Sequence, residues 1–182
     1  MTVAPPKRAD AERNREKIVA AAAQALAESD GEVSMAEVAR RAGVGMATLY
    51  RNFPGRRDLL EALFTGEVNT ICETASEANY ESPGEALSSW LHRFHTFSMN
   101  KRRVALEILK HTDTSDPLFG SSRSKVLAAG RPLLDAAQRA GEIREDLVLE
   151  QILDMVVAIA TINGTSDYIE PILDAAIDGL RT

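Results

Sequence analysis

The chain has 182 residues, 45% of them hydrophobic and 26% charged, with a net charge of −6 and a single cysteine, Cys72. One cysteine excludes an intramolecular disulfide, no run of about 18 apolar residues offers a membrane span, and the first residues lack the apolar core of a secretion signal. A cytoplasmic protein with a sizeable core, in one or two domains, is therefore expected.

The acidic balance argues against unspecific coating of nucleic acid, but the charge is unevenly spread. Residues 1–60 carry 10 Lys and Arg against 8 Asp and Glu, whereas residues 61–182 carry 11 against 19. Only the N-terminal part is suited to approach phosphate.

Residues 1–9, MTVAPPKRA, are short, basic and proline-bearing, and read as a frayed arm. An Ala-rich helix is predicted over about 10–29. Ser34 followed three residues later by Glu37 forms a capping box, so a second helix starts near Met35. Val38, Ala39 and Ala42 give that helix one apolar face, and Gly43 ends it because glycine takes the left-handed conformation at little cost.

A third, short helix runs from Gly45 or Met46 to about Phe53, where Pro54 removes a donor. Leu49 and Phe53, four apart, must be its buried side. Met46, Ala47, Thr48, Tyr50, Arg51 and Asn52 are then left facing outward. Thr48, Tyr50, Arg51 and Asn52 can bond to base edges or phosphates, and Met46 and Ala47 can meet a thymine methyl. Gly45, Met46 and Ala47 lie at the leading end, which goes deepest into a major groove. Arg56 and Arg57 open the next helix, where a helix N-terminus and a cation together favour phosphate.

Beyond the third helix the pattern stays helical. A long helix is predicted from Arg56 to about Asn79, with Leu59, Leu60, Leu63, Phe64, Val68 and Ile71 on its apolar side. Ser82 and Glu85 form a second capping box around Pro83 and open a helix to about Met99. Lys101 to His111 make another. Pro117 to Ala140 reads as helical with a kink or break at Gly130 and Pro132. Val148–Asn163 and Tyr168–Leu180 are the last two. The fold class expected is all-α, with about nine helices.

The segments KIVAAAAQALAESDG and VARRAGVGMATLYRNFPGRRDLLEALF, from about Arg13 to Phe64, resemble the DNA-binding domain of the TetR family of transcriptional regulators. AGV, TLY and an aromatic before Pro-Gly-Arg-Arg-Asp-Leu-Leu occur in order and at unbroken spacing over roughly the first third of the chain. Gly45 stands where many members carry Ser or Thr. The resemblance implies an all-helical homodimer. Its helix-turn-helix reading head would occupy residues 1–55, and its helical ligand-binding and dimerisation body residues 56–182. The DNA-facing set it implies is Gly45, Met46, Ala47, Thr48, Tyr50, Arg51 and Asn52, with Arg56 as a phosphate clamp; Ser34, at the start of the second helix, is counted with them.

Two further sites are expected in the body. Leu87, Trp90, Leu91, Phe94 and Phe97 form an apolar stripe, which Leu106, Leu109, Phe119 and Met155 could close into a pocket for a small-molecule effector. The pocket rests mainly on the resemblance. In the eighth predicted helix apolar residues wrap around more than one face, and such a helix needs cover on all sides. Ile152, Val156 and Ile159, with Ile169, Ile172, Leu173, Ala176 and Ile177 of the last helix, are expected at a dimer interface. A two-fold dimer demands a palindromic double-stranded operator with half-sites about one turn, ~34 Å, apart or a multiple of it.

His92 and His95 are three apart on one helix, but zinc needs three or four converging ligands, so no metal site is expected. No phosphate loop, nucleophile elbow or HExxH segment points to a catalytic residue or cofactor. The expected function is that of a sequence-specific repressor released by a ligand. The competing reading is a helical enzyme or small-molecule-binding protein that only shares the trihelical head.

Overall fold

The computed structural model of the chain describes residues 6–28, 33–77, 80–109 and 117–182, and their side chains except those at 6–9, 102–103, 106–107 and 109. Among these residues the regular structure is eight α-helices: α1 (Pro6–Glu28), α2 (Met35–Ala42), α3 (Met46–Asn52), α4 (Arg56–Thr74), α5 (Pro83–Leu109), α6 (Pro117–Arg139), α7 (Leu149–Ile159) and α8 (Ser166–Asp178). A single antiparallel bridge joins Ile143 and Arg181. No helix among the described residues is long and apolar enough to cross a membrane.

Several elements differ from their sequence expectation: α4 ends at Thr74 rather than near Asn79 and α7 at Ile159 rather than Asn163, and three others differ more. α1 begins at Pro6, inside the predicted arm, because proline at a first helical position has a pre-set φ and no donor to lose. Lys101–His111 is not a separate helix: α5 runs unbroken from Pro83 to Leu109, since Asn100 is too weak a breaker to interrupt a helix held by its apolar stripe. His111 itself lies outside the described residues. α6 also continues through Gly130 and Pro132. Pro132 is exposed, so the carbonyl that loses its helical donor there can turn to water.

The chain sorts into two compact units, Met1–Thr65 with Arg103–Thr112, and Gly66–Arg102 with Asp113–Thr182. In the first, Ile18, Ala21 and Ala22 of α1, Val38 and Ala39 of α2, Leu49 and Phe53 around α3, and Leu59 of α4 form one buried cluster. Alanine at four of its contact positions or beside them (Ala21, Ala22, Ala25, Ala39) lets the helix backbones approach closely.

In the second unit, the core is built from larger side chains. Trp90 is buried to 1% exposure, stacks on Phe94 at 5.8 Å between ring centroids, and donates its indole N–H to the Ile71 carbonyl at 3.1 Å. Gly130 faces that ring: a Cβ there would lie 2.4 Å from Trp90 Cη2, so only glycine admits the indole. Glu142 ties the turn after α6 to the start of α5. Its Oε2 accepts from Ser82 Oγ at 2.6 Å and from the Gly84 N–H at 2.9 Å, a carboxylate placed at the positive end of a helix.

Candidate nucleic-acid interface

The geometry of the head starts from the two short helices. At α2, Ser34 Oγ accepts from the Glu37 N–H at 3.2 Å, the expected N-cap. The Glu37 side chain does not complete the predicted box. Its carboxylate accepts from Arg40 at 2.7 and 2.8 Å and from Arg41 at 2.6 Å, which holds its pKa down to about 2. At the other end Gly43 takes φ 66°, with Gly43 N–H on Arg40 O at 3.3 Å and Val44 N–H on Ala39 O at 3.0 Å. This paired closure sets the turn angle into α3.

α3 is capped less completely. Gly45, its N-cap residue, offers no side-chain acceptor, and the Thr48 and Leu49 N–H groups close on the Gly45 carbonyl at 2.9 and 3.0 Å. The brace is where the spacing puts it: Leu49 is 0% exposed and Phe53 1%. Met46 and Tyr50 are 40% and 46% exposed, Ala47 and Arg51 are exposed, and Thr48 and Asn52 are half-buried. The outward face is therefore small, apolar and basic in the order read from the sequence.

Several of these side chains are held by α3 itself. Arg51 donates through Nε to Ala47 O at 3.2 Å and through Nη2 to Thr48 Oγ1 at 3.0 Å, while Asn52 Nδ2 donates to Thr48 O at 2.8 Å. Asn52 therefore serves as a local cap as well as an outward polar group. Arg56 is half-buried and donates to the Val33 carbonyl, fastening the start of α4 to the approach to α2. Asp58 accepts from the Gly55 N–H at 2.8 Å, so the N-terminus of α4 already carries a carboxylate of its own. Arg57 pairs with Glu61 and Arg13 with Asp10.

A feature that spacing alone did not reveal is the support behind α3. Arg15, from α1, lays its guanidinium over the Phe53 ring at 4.3 Å and donates to the Asn52 carbonyl at 3.2 Å. The contact spans 37 residues of sequence, so no local pattern signals it.

In the second unit, Trp90, Phe94 and Phe97 are buried, with Phe94 and Phe97 at 5.8 Å, and Phe119 and Met155 are half-buried. The side chains of Leu106 and Leu109 lie outside the described residues. Lys101 sits over the Phe97 ring at 5.3 Å. Burial lowers its pKa, as does Arg123, and burial raises that of Glu67, whose Oε2 is enclosed without a hydrogen-bond partner. Of the residues expected at a dimer contact, Ile152, Val156, Ile159, Ile169, Leu173 and Ile177 are buried within this one chain, while Ile172 and Ala176 are half-buried. Val157 and Tyr168 are the large apolar side chains that α7 and α8 leave exposed, at 40% and 61%.

The two histidines diverge. His92 donates through Nδ1 to the Ser88 carbonyl and meets the Asp174 carboxylate through Nε2, both at 2.8 Å. Burial disfavours its charge, but the Asp174 and Ser88 hydrogen bonds outweigh that and raise its pKa. His95 is 6% exposed, its Nε2 has no partner, and burial together with His92 lowers its pKa.

Residues 18–63 match the family model described as bacterial regulatory proteins, tetR family. Residues 82–182 match the one described as transcriptional regulator SbtR-like, C-terminal domain. Among solved structures, a TetR transcriptional regulator from Streptomyces coelicolor is 35% identical, covers 92% of this chain and 98% of its own, and superposes with a TM-score of 0.74. A TetR transcription regulatory protein from Mycobacterium vanbaalenii is 32% identical over 97% of this chain and 100% of its own, with a TM-score of 0.76. An uncharacterized HTH-type transcriptional regulator of Mycobacterium bovis is 24% identical over 147 residues, 79% of this chain and 76% of that protein.

Proposed function

The chain belongs to the TetR family of transcriptional regulators, and from that premise we propose that it is a cytoplasmic repressor, binding a palindromic operator as a homodimer and released by a small-molecule effector. The observation that carries the reading is the outward face of α3, presented on the buried brace of Leu49 and Phe53. A short helix with a rigid back can hold base-reading atoms in register, which directional hydrogen bonds to base edges require.

In this reading residues 1–55 are the reading head and residues 56–182 the body. Met46, Ala47, Thr48, Tyr50, Arg51 and Asn52 face the groove, with Gly45 and Ser34 at the leading ends of their helices and Arg56 near phosphate. The dimer forms on the outward residues of α7 and α8, Val157, Tyr168, Ile172 and Ala176. Trp90, Phe94, Phe97, Phe119 and Met155 of the second unit serve the effector site. Effector binding releases DNA only by the difference in its affinity for the two arrangements of the dimer.

Selection from a randomised pool of duplexes, followed by titration over a range of salt, tests this. A regulator enriches one palindromic sequence and loses affinity steeply with salt; a helical carrier or enzyme does neither. Thr48→Ala removes a hydroxyl and frees Arg51, and is expected to lower discrimination by ~1–3 kcal/mol. Equal loss on selected and scrambled duplexes would remove Thr48 from base reading.

A further inference from the structure

We propose that Arg15 is the positioning residue of DNA reading: from α1 it grips the C-terminal end of α3 and sets the angle at which the outward face is presented. The proposal rests on the regulator reading above and adds to it a residue outside the helix-turn-helix.

α3 has seven residues and an N-cap without a side chain, so its leading end is weakly held. Its trailing end must therefore be fixed from elsewhere. The carbonyls of the last turn have no helical donor left, and Arg15 Nη1 satisfies that of Asn52 at 3.2 Å. A cation at this end also meets the negative pole of the helix dipole. The same guanidinium covers Phe53 at 4.3 Å, the ring whose burial anchors α3.

One planar group can stack by its face and donate by its edge at once, a geometry that an ammonium does not have. Arg15 thus spends its geometry inside the head. Base hydrogen bonds are directional and phosphate attraction is not, so loosening α3 costs sequence discrimination more than general affinity.

The test uses the full chain, the duplex that the wild-type chain selects from a random pool, and a scrambled duplex of the same composition. Arg15→Met keeps the stem and removes both contacts; Arg15→Lys keeps the charge but not the planar group. Both variants are expected to lose about tenfold in the ratio of selected to scrambled affinity, the size of one disturbed base contact, with the salt slope unchanged. Amide exchange is expected to quicken at the Phe53 N–H but not at the Val38 N–H of α2.

A phosphate contact behaves differently: Lys substitutes for Arg, Met weakens both duplexes alike, and the salt slope falls by about one. That outcome, or exchange quickened equally in α2 and α3, overturns the proposal. So does a wild-type chain that selects a duplex which Arg15→Met then binds equally well, and this result leaves the regulator reading standing. A wild-type chain that selects no duplex overturns the regulator reading, and the role of Arg15 falls with it.

Discussion

The two compact units differ in how they hold their ionisable side chains. In the first unit, each of the seven arginines described from Asp10 to Thr65 has a partner: Arg13 with Asp10, Arg15 with Asn52, Arg40 and Arg41 with Glu37, Arg51 with Thr48, Arg56 with Val33 through Nη1 although its Nε is enclosed without one, and Arg57 with Glu61. In the body, Glu67 Oε2 and His95 Nε2 are enclosed without hydrogen-bond partners. A buried polar atom left unpaired is costly, on the order of 1–3 kcal/mol. The first unit is thus a platform whose described arginines are each tied to a partner, and the second holds a carboxylate oxygen and an imidazole nitrogen whose local cost a change of packing or protonation can relieve.

The largest test of this contrast strikes the platform. Phe53→Ala removes a ring 1% exposed beneath Arg15 and is expected to destabilise the head by about 3–5 kcal/mol, read by chemical denaturation, and to abolish selection of DNA. A loss below about 1 kcal/mol would show that α3 is not braced through this residue.

Next in size is the close approach of Gly130 to Trp90 in the second unit. Gly130→Ala sets a methyl against Trp90, and overpacking of this kind costs about 1–3 kcal/mol. The emission of the chain's single tryptophan is expected to shift with it, and an unmoved spectrum with unchanged stability would refute the close packing.

Smaller effects separate the two short helices of the head. Ser34→Ala is expected to cost about 1 kcal/mol through the lost cap on the Glu37 N–H. Gly45→Ser is expected to add a few tenths of a kcal/mol, because the position has extended backbone and open space for a side chain. Should Gly45→Ser destabilise, the weak start of α3 is not a matter of capping.

The smallest effect is pH dependence in the body. His92 has a raised pKa, so its pairing with Asp174 is fully present below the ordinary histidine pKa and lost as pH rises through the folded value. His95 has a lowered pKa. Its neutral form is favoured in the folded chain, so stability falls as pH drops from the ordinary value through the folded one. Stability of the body is expected to peak around the ordinary histidine range, with His92→Asn flattening the alkaline side and His95→Leu the acid side. A monotonic profile in the wild type would contradict both assignments.

Much of the head was legible in the residues because its signals are local. Ser34 and Gly43 bound α2 within a ten-residue span, and Leu49 and Phe53 mark the buried side of α3 at helical spacing. The break expected at Asn100 and the interruption expected at Gly130 failed for the opposite reason. Whether a weak breaker ends a helix depends on what packs beside it, and Trp90 occupies the space that Gly130 leaves.

The all-helical class, the order of helix, glycine turn and helix, and the polarity of α3 can be read from neighbouring residues alone. Each follows from backbone preferences and apolar periods spanning a few residues. Long-range packing sets where the long side chains go: Glu37 to two arginines rather than its own cap, Arg56 to Val33, Arg15 to Asn52, and most of the expected dimer residues into their own chain's core. A long polar side chain has several reachable partners, and an apolar helix several faces to cover. The choice among them depends on segments far apart in the chain coming together, which no local pattern encodes.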